Sequence, residues 1–254
     1  MFWNEDTLKL HCQRTGEVHY IFYARDRYKD WLLTWQERLT VAHMKLEQTV
    51  NLPNKVDLAV GMKTMVLQNI ATHADLANGS HGIITDIILH PDECAIPDAD
   101  NKVYLQHPPA AELFFPHSGS KVQIPGLPKG VIPIFPSQNT FSLEGRHQIT
   151  VHREQLAITA AYAFTDYKAQ GQTMECVIVD LAKPPSGAFT GFDVYVALLH
   201  SRGQPTIRLL WDFNENLFTQ HLSEELCRED IWLSMLEKKT LESFHTGQLH
   251  HFST

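Results

Sequence analysis

Between residues 163 and 173 the chain reads Ala-Phe-Thr-Asp-Tyr-Lys-Ala-Gln-Gly-Gln-Thr, a turn between two apolar segments. The hydroxyls of Thr165 and Thr173, the Lys168 ammonium, the Gln170 amide and the backbone N–H groups around Gly171 are donors that can hold phosphate oxygens. The same residue types also make a plain connection in which Gly171 relieves strain, so on physics alone both readings stand. Other chemistries fare worse. Cys12, Cys94, Cys176 and Cys227 lie far apart with no Cys-x-x-Cys pair; reduced thiols are expected, not a zinc knuckle or a disulfide framework. Cys176 opens an apolar run that reads as a buried strand, where a thiol is inert. The fifteen histidines are scattered without metal-ligand spacing, and no metal site is expected.

The bulk properties bound what such a turn could serve. Of 254 residues, 43% are hydrophobic and 20% charged, the balance of a folded protein. No run approaches the roughly 18 to 20 apolar residues of a membrane helix, and the first residues lack the basic start and apolar core of a secretory signal. A nuclear or cytoplasmic protein is expected, with no membrane partner. The formal net charge of -8 excludes a globally basic surface, so any nucleic-acid site must be local.

The elements that must position the turn follow from periodicity. Residues 3–14 read as a helix stopping near Gly16, and 18–24 as a strand. Trp31, Trp35, Leu39, Ala42 and Leu46 fall three or four apart, which predicts a helix from Asp30 to Gln48 with that face in the core. Alternation at Val56, Leu58 and Val60, the segment 62–67, the Asn78-Gly79 turn and the run 83–89 predict strands. Short strands are expected at 102–106, 112–115, 121–124, 131–135 and 140–143, spaced as in a small barrel or irregular β insert. The nearly all-apolar run from Cys176 to Leu181 reads as a strand buried on both faces, which implies a parallel α/β sheet. Gly191 to Arg202 and Leu222 to Glu242 read as helices, with a strand at 206–210 between them; the tail after His245 is expected to fray.

Thr165 to Thr173, followed by Cys176–Leu181, resembles motif V of the petite-integration-frequency (PIF) type superfamily 1B DNA helicases, Thr-x-His-Lys-Ser/Ala-Gln-Gly-Gln-Thr and then an apolar strand ending Asp-Leu. Tyr195-Val196-Ala197-Leu198, with Phe189 and Gly191 before it, resembles the same family's motif VI, Tyr-Val-Ala-Leu-Ser-Arg. Residues 58–66 and 76–82 resemble its paired signature around Gly-x-x-Val-Met and Val-Asn-Gly-Thr-Arg-Gly. The wording of 57–89, with Ser201-Arg202-Gly203 and 206–210, is most similar to helicases of Helitron-type transposons.

The resemblance covers roughly residues 3–235 and is weakest across 91–148. It implies an α/β fold: the second RecA-like P-loop NTPase motor domain, with a parallel sheet and a small β-barrel-like insert. Residues 1–56 would begin that domain, 57–148 form the insert, 149–242 complete the domain with motifs V and VI, and 243–254 form a flexible tail. The implied activity is ATP-dependent 5′ to 3′ unwinding of DNA, in repair, recombination or transposon replication, with ATP and Mg²⁺ as cofactors and single-stranded DNA as partner. Carried over, Thr165 and Lys168 lie near DNA phosphates, and Gln170, Gly171 and Thr173 in the DNA-to-nucleotide coupling region. The Asn78-Gly79 pair lies beside the DNA channel, or is simply a hairpin turn.

Two departures from the pattern bear on activity. No Gly-x-x-x-x-Gly-Lys-Ser/Thr occurs, so the loop that cradles the β- and γ-phosphates is missing. The motif VI arginine aligns with His200 without a gap, and an imidazole with pKa of about 6.5 has no guanidinium fork. Such an arginine supplies ~10³ to 10⁵ in rate in phosphoryl transfer. Arg202 is the alternative finger, reached by a two-residue insertion at Leu199-His200; in a continuous helix it would sit about 200° around from His200. The expectation is a helicase fragment that lacks the first motor domain, binds no ATP alone and is inactive alone. The alternatives are a non-catalytic single-stranded DNA-binding or regulatory module with a weak, local site, and half of a split motor whose partner supplies the phosphate loop.

Overall fold

In the computed structural model the described residues are 2–29, 31–74, 76–117, 119–144, 148–169, 171–182, 190–219 and 224–245. Asp30, Gln170, Phe189 and the tail after His245 lie outside them. The chain divides into two compact units, Met1–Lys168 and Ala169–Thr254.

The first unit opens with the helix Phe2–Thr15, which ends where Gly16, left-handed at φ 78°, donates its N–H to the Cys12 carbonyl at 2.8 Å. Fully buried Leu8 is its anchor in the main core, beside Val56, Leu58, Ile84, Phe114 and Leu156. Two sheets contribute to this core, and a third packs on a smaller one of its own. In one, His19–Tyr23 runs antiparallel to Lys55–Leu58 and parallel to Lys102–Leu105. A five-stranded sheet has the order Ile158–Ala160, Lys63–Val66, His81–Ile88, Ala111–Pro116, Ile132–Ile134. Gly82 on its central strand is required by close approach: a Cβ there would collide with the Phe114 ring and the Phe115 carbonyl. A four-stranded sheet has the order Ser137–Leu143, Ile149–Gln155, Arg25–Tyr28, Trp31–Leu32, so the last, short strand is an edge.

The helix expected from Asp30 to Gln48 is shorter and differently faced. Trp31–Leu32 is a strand, the helix is Trp35–His43, and a 3₁₀ turn follows at Leu46–Thr49. Thr34 and Glu37 form a reciprocal capping box, which starts the helix four residues later than the apolar spacing suggests. Trp31, Trp35 and Leu39 are 77%, 71% and 48% exposed; Leu33 and Val41 are the buried residues, packed with Phe141, Leu143 and Val151. Residues 121–124, expected as a strand, form none. That stretch is looped, with the Gln123 amide donating to the Ile124 and Leu127 carbonyls.

The second unit pairs Val177–Val179 in parallel with Ile207–Leu209. The helix Gly191–Leu199 joins this pair in a small core of Val179, Leu181 and Val194. Ile178 is 67% exposed and Cys176 is exposed, so the strand is not buried on both faces and burial does not make its thiol inert. The reason is that, among the described residues, one face of this two-stranded pair packs on the helix and the other is uncovered. The long helix Glu224–His245 has no buried residue among those described. No described helix is long and apolar enough to cross a membrane.

Candidate functional site

Chain entry to the 165–173 segment is fixed from the far end of the first unit. The Asn4 carboxamide oxygen accepts from the backbone N–H of Tyr162 (3.0 Å) and Ala163 (2.6 Å), and its NH₂ donates to the Ala163 carbonyl at 2.8 Å. Phe164 meets the His81 ring edge-on at 4.7 Å. Burial, with His117 nearby, lowers the His81 pKa to about 4, so this imidazole is neutral and works as packing.

Beyond this clamp Thr165 is exposed, and its carbonyl accepts the Lys168 N–H at 2.9 Å, opening a single 3₁₀ turn, Asp166–Ala169. Buried Ala169 anchors the turn, while the Lys168 side chain reaches outward and donates to the Asn78 side-chain oxygen at 3.2 Å. Asn78 is itself held: its N–H donates to the Asn69 side chain at 2.9 Å, and Gly79, at φ 90°, donates to the Val66 carbonyl at 2.8 Å. Three of the sequence-derived DNA-binding residues, Lys168, Asn78 and Gly79, are therefore neighbours although 90 positions separate Lys168 from Asn78. Tyr167, 78% exposed beside Lys168, is a residue the sequence reading passed over; an aromatic at the histidine position of the motif was the available signal.

In the second unit Gly171 is left-handed at φ 75° and Thr173 is exposed. His200 caps the C-terminus of the helix Gly191–Leu199, whose N-terminus carries a Thr190–Asp193 capping box. The imidazole is 7% exposed, and its Nδ1–H donates to the Gln172 carbonyl at 2.9 Å. The backbone closes the same link, with Met174 N–H donating to the His200 carbonyl at 2.8 Å and a parallel bridge joining Met174 to Ser201. His200 thus ties the end of the segment that resembles motif V to the end of the one that resembles motif VI, within this unit. Arg202 lies past the helix end, exposed and without a hydrogen bond or ion pair among the described residues. Since the helix stops at Leu199, the 200° rotation expected between positions 200 and 202 does not apply.

Comparison with known proteins gives the fold its context. No protein-family model matches the chain. Over 156 residues it is 30% identical to the ATP-dependent DNA helicase PIF7 of Trypanosoma brucei brucei, covering 58% of this chain and 15% of that protein. The Pif1 helicase from Candida albicans matches 91% of this chain and 48% of its own, at 19% identity and a TM-score of 0.55. Bacteroides Pif1, solved bound to ssDNA, matches 91% of this chain and 44% of its own, at 17% identity and a TM-score of 0.55. These structures establish a mixed α/β fold shared with the RecA-like region of Pif1 helicases, and the chain spans less than half the length of each of these relatives.

Proposed function

We propose that this chain, a relative of the Pif1-type superfamily 1B helicases in their C-terminal region, is the second motor half of an ATP-dependent 5′ to 3′ DNA helicase. The observation that carries the reading is the 3.2 Å hydrogen bond from Lys168 to Asn78. It gathers a cation, an amide and a left-handed glycine turn at one place on a chain of net charge -8, which is the local site that single-stranded DNA phosphates require. Thr165 adds an exposed hydroxyl three residues before Lys168.

No Gly-x-x-x-x-Gly-Lys-Ser/Thr loop occurs in the 254 residues, so in this reading the cradle for the β- and γ-phosphates of ATP is supplied from outside them. What the chain offers a nucleotide bound elsewhere is Arg202, whose exposed and unpaired guanidinium fits the finger role better than the buried His200 imidazole. The transposon-type wording of 57–89 supports a Helitron ancestry, and with it service in DNA transposition, repair or recombination. A non-catalytic DNA-binding module would use the same Lys168 surface, and a split motor differs in co-purifying with an ATP-binding partner.

The test is a pair of assays on the purified chain. Fluorescence anisotropy with a labelled oligothymidylate is expected to show weak binding that falls with salt and is lost in Lys168→Ala. ATP hydrolysis is expected to stay at buffer level with or without DNA. Robust DNA-stimulated turnover that dies with Lys168→Ala would overturn the claim that this chain is silent alone.

A further inference from the structure

A recess of about 340 Å³ opens in the first unit between the helix Phe2–Thr15, the helix Trp35–His43 and the strand Ile158–Ala160. That volume lies at the small end of ligand cavities. Leu8, Val41, Val56 and Ile158, each at most 2% exposed, form its base, and partly exposed Met44 and Leu46 continue the apolar wall. Such a lining suits the apolar body of a small guest.

The charged groups on the wall decide what head that guest carries. Lys55 Nζ is 3.0 Å from one Asp57 oxygen, and the other Asp57 oxygen lies 2.9 Å from the His19 ring. Arg153 is likewise committed, to both oxygens of Asp26 at 2.7 and 2.6 Å and to the Leu52 carbonyl at 2.9 Å. An anionic head therefore meets cations that already have partners. Glu5 differs. Its side chain is 41% exposed, and its two oxygens stand 3.5 Å from Lys9 and 3.6 Å from Lys55, longer than ordinary hydrogen bonds. This carboxylate is the wall group with bonding capacity to spare, and its complement is an ammonium.

Asn4 lines the same recess, one turn of helix before Leu8. It is also the residue whose carboxamide fastens Tyr162 and Ala163, and the strand Ile158–Ala160 on the recess wall runs directly toward them. A guest seated here touches both halves of the clamp, the helix and the strand.

We infer that this recess is a binding site for a small amphipathic amine, its apolar body on the Leu8–Ile158 base and its ammonium on Glu5, and that occupancy holds the Asn4 clamp shut. Neither the Lys168 turn nor the helicase reading enters into it.

The probe is tryptamine, an indole carrying one ammonium, titrated calorimetrically into the full chain, Glu5→Gln and Ala42→Trp, with indole-3-propionate as its anionic counterpart. Ala42 is exposed and lines the recess, so an indole grafted there fills the space from the rim; thermal melts confirm that each variant is folded. The parent is expected to bind tryptamine saturably below about 5 mM, the range open to a ligand of so few atoms, and indole-3-propionate at least about tenfold more weakly. Glu5→Gln is expected to weaken tryptamine about tenfold without weakening indole-3-propionate, and Ala42→Trp to abolish tryptamine binding. With tryptamine at ten times its dissociation constant, amide exchange at Tyr162 and Ala163 is expected to slow about tenfold, because only the closed form binds. Absence of saturation, equal affinity for the two ligands, or unchanged tryptamine affinity in either variant refutes the site. Binding that leaves exchange at those two amides unaltered refutes its hold on the clamp.

Discussion

Glu112 is fully buried on the strand Ala111–Pro116, facing the same side as Phe114, with Ile87 and Ile134 as its cross-strand neighbours. Neither carboxyl oxygen has a hydrogen-bond partner among the described residues. Burial raises its pKa from 4.5 to about 8, so the folded protein holds a neutral acid at pH 7. Between these values the unfolded chain has released a proton that the folded chain keeps, and stability therefore falls as pH rises, by about 1.4 kcal/mol per unit. His81 runs the other way: with its pKa lowered from 6.5 to about 4, it makes stability rise with pH between those limits. The two effects oppose each other below pH 6.5, and Glu112 is left unopposed from 6.5 to 8. There the parent chain is expected to lose about 1.5 to 2 kcal/mol, and Glu112→Gln to lose none of it. Below pH 6.5 the variant instead shows the effect of His81, joined by His117, whose pKa burial also lowers, and gains stability with rising pH. Urea unfolding followed by circular dichroism at pH 5, 6.5 and 8 measures both limbs. Parallel profiles for parent and variant between pH 6.5 and 8 would refute the argument.

Other substitutions test the packing that carries the sites. Asp26→Ala strands the Arg153 guanidinium, 1% exposed, and is expected to cost about 3 to 5 kcal/mol in chemical denaturation; an unchanged midpoint contradicts the buried pair. Gly82→Ala drives a methyl into the Phe114 ring, and a loss of about 1 to 3 kcal/mol in the same assay is expected. His200→Arg puts a charged fork where the imidazole is 7% exposed and its Nε2 has no partner among the described residues. It should lower the melting temperature without conferring ATP hydrolysis, and a variant that gains hydrolysis would restore position 200 as the finger.

Much of this was legible where local rules decide the outcome. Alternation located the strands around Val56 and Leu58, and the apolar run after Cys176 located Val177–Val179 and its parallel partner. The errors came where a local cap or the tertiary setting overrode spacing. The Trp31–Trp35–Leu39 row has perfect helical spacing, yet the Thr34 cap begins the helix beyond Trp31, and the core takes Leu33 and Val41 instead. Helix length likewise misplaced Arg202, because the helix ends at Leu199. The family resemblance named Lys168 and Asn78 separately; their contact spans 90 residues and belongs to the fold alone.

The Asn4 clamp has a consequence for how the protein is made. Its partner Ala163 lies 159 residues downstream, so at about 5 to 20 residues per second the ribosome needs roughly 8 to 30 s to deliver it. A helix of 14 residues is marginal on its own in water, and through that interval Leu8 has no completed core to enter. This helix, made before the strands it packs on, is thus among the last of these elements to be secured. Nascent chains stalled short of residue 163 should be the ones that chaperones hold and proteases find.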